Sequence, residues 1–188
     1  MSRILRFIYI IFVVVRGYER LLVWVARFGF LIYPLYVIVS WFVASRKERI
    51  RKREALVEAI FSVLAASSVS FLIRRIWRRP RPFTRGKTAR IAHGDNASFP
   101  SNHTLNAVAA AFSLILSRQS GGNRLLGWAL LQGLSRVFAG VHYMSDIIGS
   151  AVLAACCAAW VHSSQRLRKL SRQLAYICTE AEDILRQK

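Results

Sequence analysis

The chain has 188 residues, of which 54% are hydrophobic, and it carries a formal net charge of +19. This length allows one domain or little more. The apolar residues come in long blocks, without the periodicity of a soluble nucleic-acid-binding domain, so a nucleic-acid partner is not expected. Apolar blocks with basic flanks are typical of a small multi-span membrane protein. The three cysteines match neither a disulfide framework nor a zinc-site spacing.

The first apolar segment is short. Residues 4–15 are apolar apart from Arg6, and as a helix they would cover about 18 Å of a hydrocarbon core near 30 Å. We expect such a segment to lie in the membrane–water interface, or to span the membrane only with help from its flanking residues. No small-residue cleavage site follows it, so we expect it to be retained. Residues 1–27 are therefore treated as an N-terminal interfacial or short membrane segment.

Five further segments are predicted to be membrane helices. They are residues 28–44, 55–77, 101–117, 125–141 and 144–161. The dense basic stretch 46–53 is predicted to be a cytoplasmic loop. Residues 164–188 are predicted to form a cytoplasmic amphipathic tail, with apolar residues at helical spacing: Leu167, Leu170, Leu174 and Ile177. The predicted fold class is all-α, an integral membrane bundle of five or six helices whose membrane domain is 28–163, followed by an interfacial C-terminal helix.

Counting these spans brings three polar clusters to one face of the membrane. Arg81, the start of the 101–117 helix and the 136–142 segment all fall opposite the 46–53 loop. Residues 74–90 carry eight basic residues on that outer face, against the positive-inside rule. An anionic substrate would explain this excess.

The residue types in these clusters indicate phosphoryl chemistry. His142 and Asp146 are four residues apart and share one helix face, so the carboxylate can fix the imidazole tautomer and leave the other nitrogen free to attack. Ser101 and His103 start a predicted helix, where free N–H groups favour an anion. Guanidinium groups matched to phosphate oxygens come from Arg74, Arg81 and Arg136.

Metal-dependent chemistry is disfavoured by the scarcity of carboxylates. Between Ala59 and Thr179 the sequence has only Asp95 and Asp146, whereas Mg²⁺ and Ca²⁺ need several oxygen ligands. We therefore expect no metal and no other cofactor. The remaining alternative is zinc held by three histidines: His93, His103 and His142.

Together the three clusters resemble the signature of the type-2 phosphatidic acid phosphatase superfamily, which also includes the vanadium haloperoxidases. The pieces occur in order: Arg74, six residues, Arg81-Pro82; then Pro100-Ser101-Asn102-His103; then Ser135-Arg136, five residues, His142, three residues and Asp146. The resemblance covers about residues 55–162. The Arg-Pro-Arg-Pro-Phe and Ser-Phe-Pro-Ser-Asn-His-Thr stretches are most similar to those of bacterial undecaprenyl-diphosphatases.

This resemblance implies an integral-membrane phosphatase that acts on an isoprenyl diphosphate. His142 would attack phosphorus and form a phosphohistidine, Asp146 would orient it, and His103 would protonate the leaving group and then activate water. The implied substrate-binding residues are Arg74, Arg81, Ser101, Asn102 and Arg136. The implied setting is a bacterial inner membrane, with the site on its periplasmic or extracellular face and the lipid substrate and bilayer as partners.

Several alternatives stay open at this point. The family's first piece usually opens with Lys, where this chain has Arg74, and three neighbouring arginines compete for that role: Arg75, Arg78 and Arg79. His93 is interpreted as a solvated loop residue or as the counterpart of a loop histidine in the undecaprenyl group. The same catalytic parts would serve a phosphatidylglycerophosphate or phosphatidate phosphatase. A non-catalytic basic protein that binds anionic lipid would also account for the charge.

Overall fold

A computed structural model describes residues 17–45 and 48–186, which form helices and loops and, within these ranges, no strand. The six helices are α1 (Gly17–Val43), α2 (Arg49–Ile76), α3 (Asn102–Leu116), α4 (Gly122–Phe138), α5 (Met144–Ser163) and α6 (Gln165–Leu185). A 3₁₀ helix, Pro82–Arg85, lies in the long loop between α2 and α3. The predicted fold class, an all-α membrane bundle, is confirmed.

Helix α3 lies at the centre of the bundle, where it contacts α2, α4 and α5. The core around it consists mainly of small residues: Ala66, Leu105, Ala107, Val108, Ala109, Ala129 and Ala154. Small side chains allow helix axes to approach closely. Gly133 is an example, since a Cβ there would lie 2.7 Å from Cγ2 of Ile147 on α5 and 3.2 Å from Oγ1 of Thr104 on α3.

Three of the described helices, α1, α2 and α5, are long and apolar enough to cross a membrane. The predicted spans 101–117 and 125–141 form shorter helices, α3 with 15 residues and α4 with 17. At 1.5 Å per residue they measure about 22 and 26 Å, less than a hydrocarbon core of about 30 Å. The described bundle therefore combines three full-length spans with two shorter helices.

Helix α1 begins earlier than the span predicted at 28–44. It is already helical at Gly17 and continues, with one 3₁₀ turn at Gly29–Leu31, to Val43. Arg27 does not interrupt it, because its side chain is exposed and its guanidinium carbon lies 5.3 Å from the centroid of the Phe28 ring. The proposed boundary at 27/28 therefore falls inside a helix, and residues 4–15 lie outside the described residues.

The predicted basic loop 46–53 is wrong over its second half, because α2 begins at Arg49. Residues 46 and 47 are outside the described ranges. Arg, Lys and Glu are good helix formers, and contacts with α6 stabilise the start of α2. Arg49 donates to Asp183 at 2.6 Å, and the buried Arg53 pairs with Glu182 and donates to Thr179, all on α6.

Helix α6 packs back against α2, a contact that the sequence did not predict. The buried residues are Ser171, Ala175 and Thr179, which are small and recur every four residues. The apolar row that was predicted to lie at the interface stays at least partly exposed, with Leu170 42%, Leu174 37% and Ile177 61% exposed. That row is free to meet the bilayer surface.

Candidate active site

Contacts between distant parts of the chain bring the three polar clusters to one end of the bundle. Arg81 donates to the carbonyl of Val141 at 2.7 Å, Ser98 donates to Asp146 at 2.5 Å, and the Ser101 N–H donates to Oγ of Ser150 at 2.8 Å. We call this the site end. The opposite end is marked by Glu58, which binds His162 of α5 at 2.5 Å and accepts from Ser117 at 3.4 Å, just beyond α3.

Arg81 is fully buried and organises the loop before α3. It donates to the carbonyls of Asn96 at 2.9 Å and Ala97 at 3.1 Å, to Oδ1 of Asn96 at 2.6 Å, and to Val141. Burial, together with the charges of Arg74 and Arg136, lowers its pKa to about 10, so it stays a cation at neutral pH. Its predicted role as a direct substrate ligand is therefore supplemented by a structural one that the sequence did not suggest.

His142 lies between a cation and a carboxylate. Its Nε2 is 3.3 Å from Nη1 of Arg81, and its Nδ1 is 3.6 Å from Oδ2 of Asp146. The second distance is longer than a hydrogen bond, and Nδ1 has no other partner among the described residues. Catalytic hydrogen bonds are often long before substrate binds, and a small ring movement would close this one. Asp146 therefore faces one ring nitrogen and leaves Nε2 toward the cationic side.

The imidazole of His142 is neutral at neutral pH. Burial lowers its pKa to about 4, and the charges of Arg81 and Arg136 act in the same direction, while Asp146 opposes them. A neutral imidazole has a lone pair on one nitrogen, as a nucleophile needs.

Asp146 is held by residues that the sequence analysis did not assign to it. Its Oδ1 accepts from Arg79 at 2.5 Å, and its Oδ2 accepts from the hydroxyl of Ser98 at 2.5 Å and the N–H of Tyr143 at 2.9 Å. Both residues begin stretches that carry the family resemblance, but neither was given a role there, and Arg79 was otherwise considered only as a competitor for the role of Arg74. No periodicity could have found them, because both lie in the irregular stretch 77–101.

Arg74 and Arg136 carry buried guanidinium nitrogens without a partner among the described residues. Arg74 donates to Ala97 at 2.7 Å through Nη2 but leaves Nε unpaired. Arg136 donates to Ala26 at 2.9 Å through Nη1 and leaves both Nε and Nη2 unpaired. Buried charged donors are costly unless something satisfies them. Phosphate oxygens are suitable acceptors for such groups.

The piece Ser101-Asn102-His103 forms the N-terminal end of α3, as predicted. Ser101 occupies the N-cap position but makes no capping hydrogen bond through its side chain, and its buried hydroxyl accepts from Thr104 at 3.2 Å. Asn102 accepts from Ser70 at 2.5 Å. The His103 ring packs edge-on against Phe30, with 5.5 Å between centroids.

His93 approaches the site more closely than a solvated loop residue would. Its ring centroid lies 6.3 Å from that of His142, in an edge-on arrangement, and its Nδ1 is 3.1 Å from the carbonyl of Gly94. Burial is the main cause of its lowered pKa, and nearby Arg81 acts in the same direction. It therefore adds a third imidazole to the site end.

Two cavities meet beside Asn102. One, of about 870 Å³, has a strongly basic wall that includes Arg74, Arg75, Arg78 and Arg79. The other, of about 380 Å³, is an apolar groove between α1, α2 and α3, with His103 and Phe30 among its lining residues. Asn102 lines both, so a polar chamber and an apolar groove adjoin at the start of α3.

A family model described as the PAP2 superfamily matches residues 55–169, which contain all the predicted catalytic and substrate-binding residues. The chain belongs to the PAP2 superfamily. This confirms the resemblance seen in the sequence and makes the chain a membrane lipid phosphatase of PAP2 type, an enzyme that hydrolyses phosphate esters or anhydrides.

Named PAP2 relatives and a solved structure are similar over most of the chain. Undecaprenyl-diphosphatase BcrC of Bacillus subtilis (strain 168) is 28% identical over 137 residues, 72% of this chain and 69% of the relative. Decaprenylphosphoryl-5-phosphoribose phosphatase of Mycobacterium tuberculosis (strain CDC 1551 / Oshkosh) is 34% identical over 123 residues, 63% of this chain and 68% of the relative. The crystal structure of Aquifex aeolicus LpxE matches in fold, with a TM-score of 0.60, 20% identity, and coverage of 80% of this chain and 87% of that chain.

Proposed function

We propose that this PAP2 enzyme hydrolyses an isoprenyl diphosphate, such as undecaprenyl diphosphate, to the monophosphate without a metal ion. The observation that carries the proposal is a buried His–Asp pair at the same end as buried arginine nitrogens that have no partner within residues 17–45 and 48–186: Nε of Arg74 and Nε and Nη2 of Arg136. Such an arrangement is suited to an anion held against a nucleophile. In the cell this reaction would regenerate the lipid carrier used for peptidoglycan precursors.

The proposed reaction has two steps at His142. In the first, Nε2 of His142 forms a bond to the terminal phosphorus, and the bond from phosphorus to the bridging oxygen breaks, with the electron pair leaving on the lipid monophosphate. His103 protonates that leaving group as needed. In the second step, water activated by His103 attacks phosphorus, the P–N bond breaks, and orthophosphate leaves. Arg74, Arg81 and Arg136 stabilise the equatorial oxygens in both steps.

The two adjoining cavities support an amphiphilic diphosphate as substrate. Three arginines on the wall of the polar chamber, Arg74, Arg75 and Arg78, would balance the charge of two phosphates. The apolar groove beside His103 offers room for the first part of a hydrocarbon chain. Both relatives described above are named for polyprenyl substrates, which favours an isoprenyl chain over a glycerolipid.

The test is phosphate release by the full chain, purified in detergent, from undecaprenyl diphosphate, phosphatidylglycerophosphate and phosphatidate, each with and without chelator. We expect the diphosphate to be preferred and chelator to have no effect. Preference for a glycerolipid would favour the alternative substrate class, and loss of activity with chelator would contradict metal independence.

His142→Ala tests the nucleophile. We expect phosphate release to fall by about 10³-fold or more, because the covalent step is lost. In the parent, a short reaction with ³²P-labelled substrate should leave acid-labile, alkali-stable label on the protein, and the variant should carry none. The matched control is His162→Gln at the opposite end, which can keep a hydrogen bond to Glu58 and should retain the parent rate. A fully active His142→Ala enzyme would end the proposal.

A further inference from the structure

Arg79 lies in the six-residue spacer of the first motif piece and is not one of its defining residues, yet its side chain reaches the buried carboxylate of the site. Nη1 donates to Oδ1 of Asp146 at 2.5 Å and to the hydroxyl of Ser145 at 2.9 Å. The guanidinium carbon lies 4.4 Å from the centroid of the Tyr143 ring. The Arg79 side chain is 27% exposed, whereas that of Asp146 is fully buried. Arg79 therefore supplies a cation to a carboxylate that solvent does not reach.

The same arginine also holds the second partner of that carboxylate. The carbonyl of Arg79 accepts from the Ser98 N–H at 2.8 Å, and the hydroxyl of Ser98 donates to Oδ2 of Asp146 at 2.5 Å. Together with the contact of the side chain to Oδ1, these bonds close a ring of three residues. The ring joins the residues just after α2, the loop before α3 and the first turn of α5.

This ring, together with the Tyr143 N–H that donates to Oδ2 at 2.9 Å, determines how the carboxylate faces the nucleophile. The torsion that rotates a carboxylate is broad and nearly two-fold, so partners must set its orientation. Here one oxygen is committed to Arg79, and the other is turned toward Nδ1 of His142, 3.6 Å away. If Arg79 were removed, Oδ1 would lose its charge-assisted hydrogen bond and the carboxylate could rotate away from the ring.

We propose that Arg79 is a positioning residue that acts on His142 through Asp146, and not a phosphate ligand. This inference rests on the proposed roles of His142 and Asp146. Nη1 of Arg79 donates to Asp146 and Ser145, whereas buried nitrogens of Arg74 and Arg136 have no partner in the part of the chain that the structure describes.

Arg79→Ala is the first test, measured on the full chain with the best substrate of the panel. We expect kcat to fall by about 10- to 100-fold, the effect of one charge-assisted hydrogen bond, while KM changes by less than about 3-fold. Because the side chain is partly exposed, guanidinium ion added to the assay should restore part of the lost kcat, and Arg79→Lys should retain more activity than Arg79→Ala. The control, Arg85→Ala, removes an exposed arginine of the same loop and should show neither the loss nor the rescue.

A double-mutant cycle with Asp146→Asn identifies the route of the effect. If Arg79 acts only through the carboxylate, Arg79→Ala should lower kcat by less than about 2-fold in the Asp146→Asn background. Multiplicative losses, or a loss that appears mainly in KM, would overturn the inference and make Arg79 a substrate ligand. A parent that is inactive on every lipid phosphate would overturn the proposed function and this inference with it, whereas an active parent with multiplicative losses overturns this inference alone.

Discussion

At the scale of single residues, Arg136 is the side chain whose environment most clearly requires a ligand. It is 3% exposed, and of its guanidinium nitrogens only Nη1 has a partner among the described residues, the carbonyl of Ala26. An isolated buried charge is unfavourable unless it is paired. We therefore propose that these nitrogens bind an anion at the expense of folding stability.

We predict that Arg136→Ala lowers kcat/KM by about 10²- to 10³-fold, as the loss of one preorganised transition-state donor does. Arg136→Lys should be intermediate, because it keeps the charge but not the planar fork. Orthophosphate should raise the melting temperature of the parent in detergent and leave that of Arg136→Ala unchanged. A phosphate-dependent rise that persists in Arg136→Ala would contradict the role of Arg136.

Several residue-level predictions were accessible from sequence and others were not. The histidines, Asp146 and the arginines of the three pieces could be named, because their order and spacing are visible in the chain. The pairing of Arg79 and Ser98 with Asp146 could not be predicted: both residues lie in stretches that carry the family resemblance, but the irregular loop that contains them has no periodicity from which a contact can be inferred. The structure brings the named residues to one end, while their catalytic and binding roles remain predictions that the variants above test.

At the scale of elements, close helix packing depends on glycine at one contact of α4. A Cβ at Gly133 would lie 2.7 Å from Ile147 and 3.2 Å from Thr104. These neighbours adjoin Asp146 and His103 in the chain, so the spacing of α3, α4 and α5 is coupled to the geometry of the site.

We predict that Gly133→Ala destabilises the protein by about 1–3 kcal/mol through overpacking and also lowers activity. Gly127→Ala on the same helix is the matched control, because no atom lies within 4 Å of the position of its Cβ. It should be neutral or stabilise the helix by up to about 1 kcal/mol. Thermal unfolding in detergent measures both, and equal shifts for the two variants would contradict the packing explanation.

At the scale of the whole molecule, the orientation of the bundle in the membrane is a proposal. The site end would face the periplasm or extracellular space of a bacterium, with the basic starts of α2 and α6 on the cytoplasmic side. The division into an N-terminal segment, a membrane domain and a tail also remains a proposal, and its first boundary falls within α1.

Cysteine labelling tests this orientation in a background in which Cys156, Cys157 and Cys178 are replaced. Gly94→Cys lies in the exposed loop at the site end, and Ser120→Cys lies in the exposed turn between α3 and α4. An impermeant maleimide should label the first in intact cells and the second only after permeabilisation. The reverse pattern would place the site on the cytoplasmic side.

The sequence by itself determined the class of molecule, the order of its helices and the residues of the three clusters. These are local properties, because apolar block length, charge and motif spacing can be read without knowing which segments touch. Only the tertiary structure decided that α6 docks on α2 through Ser171, Ala175 and Thr179, and that Arg79 binds Asp146. Such pairings join residues far apart in the chain. They depend on the path of the irregular loop and on the fit of small side chains between helices.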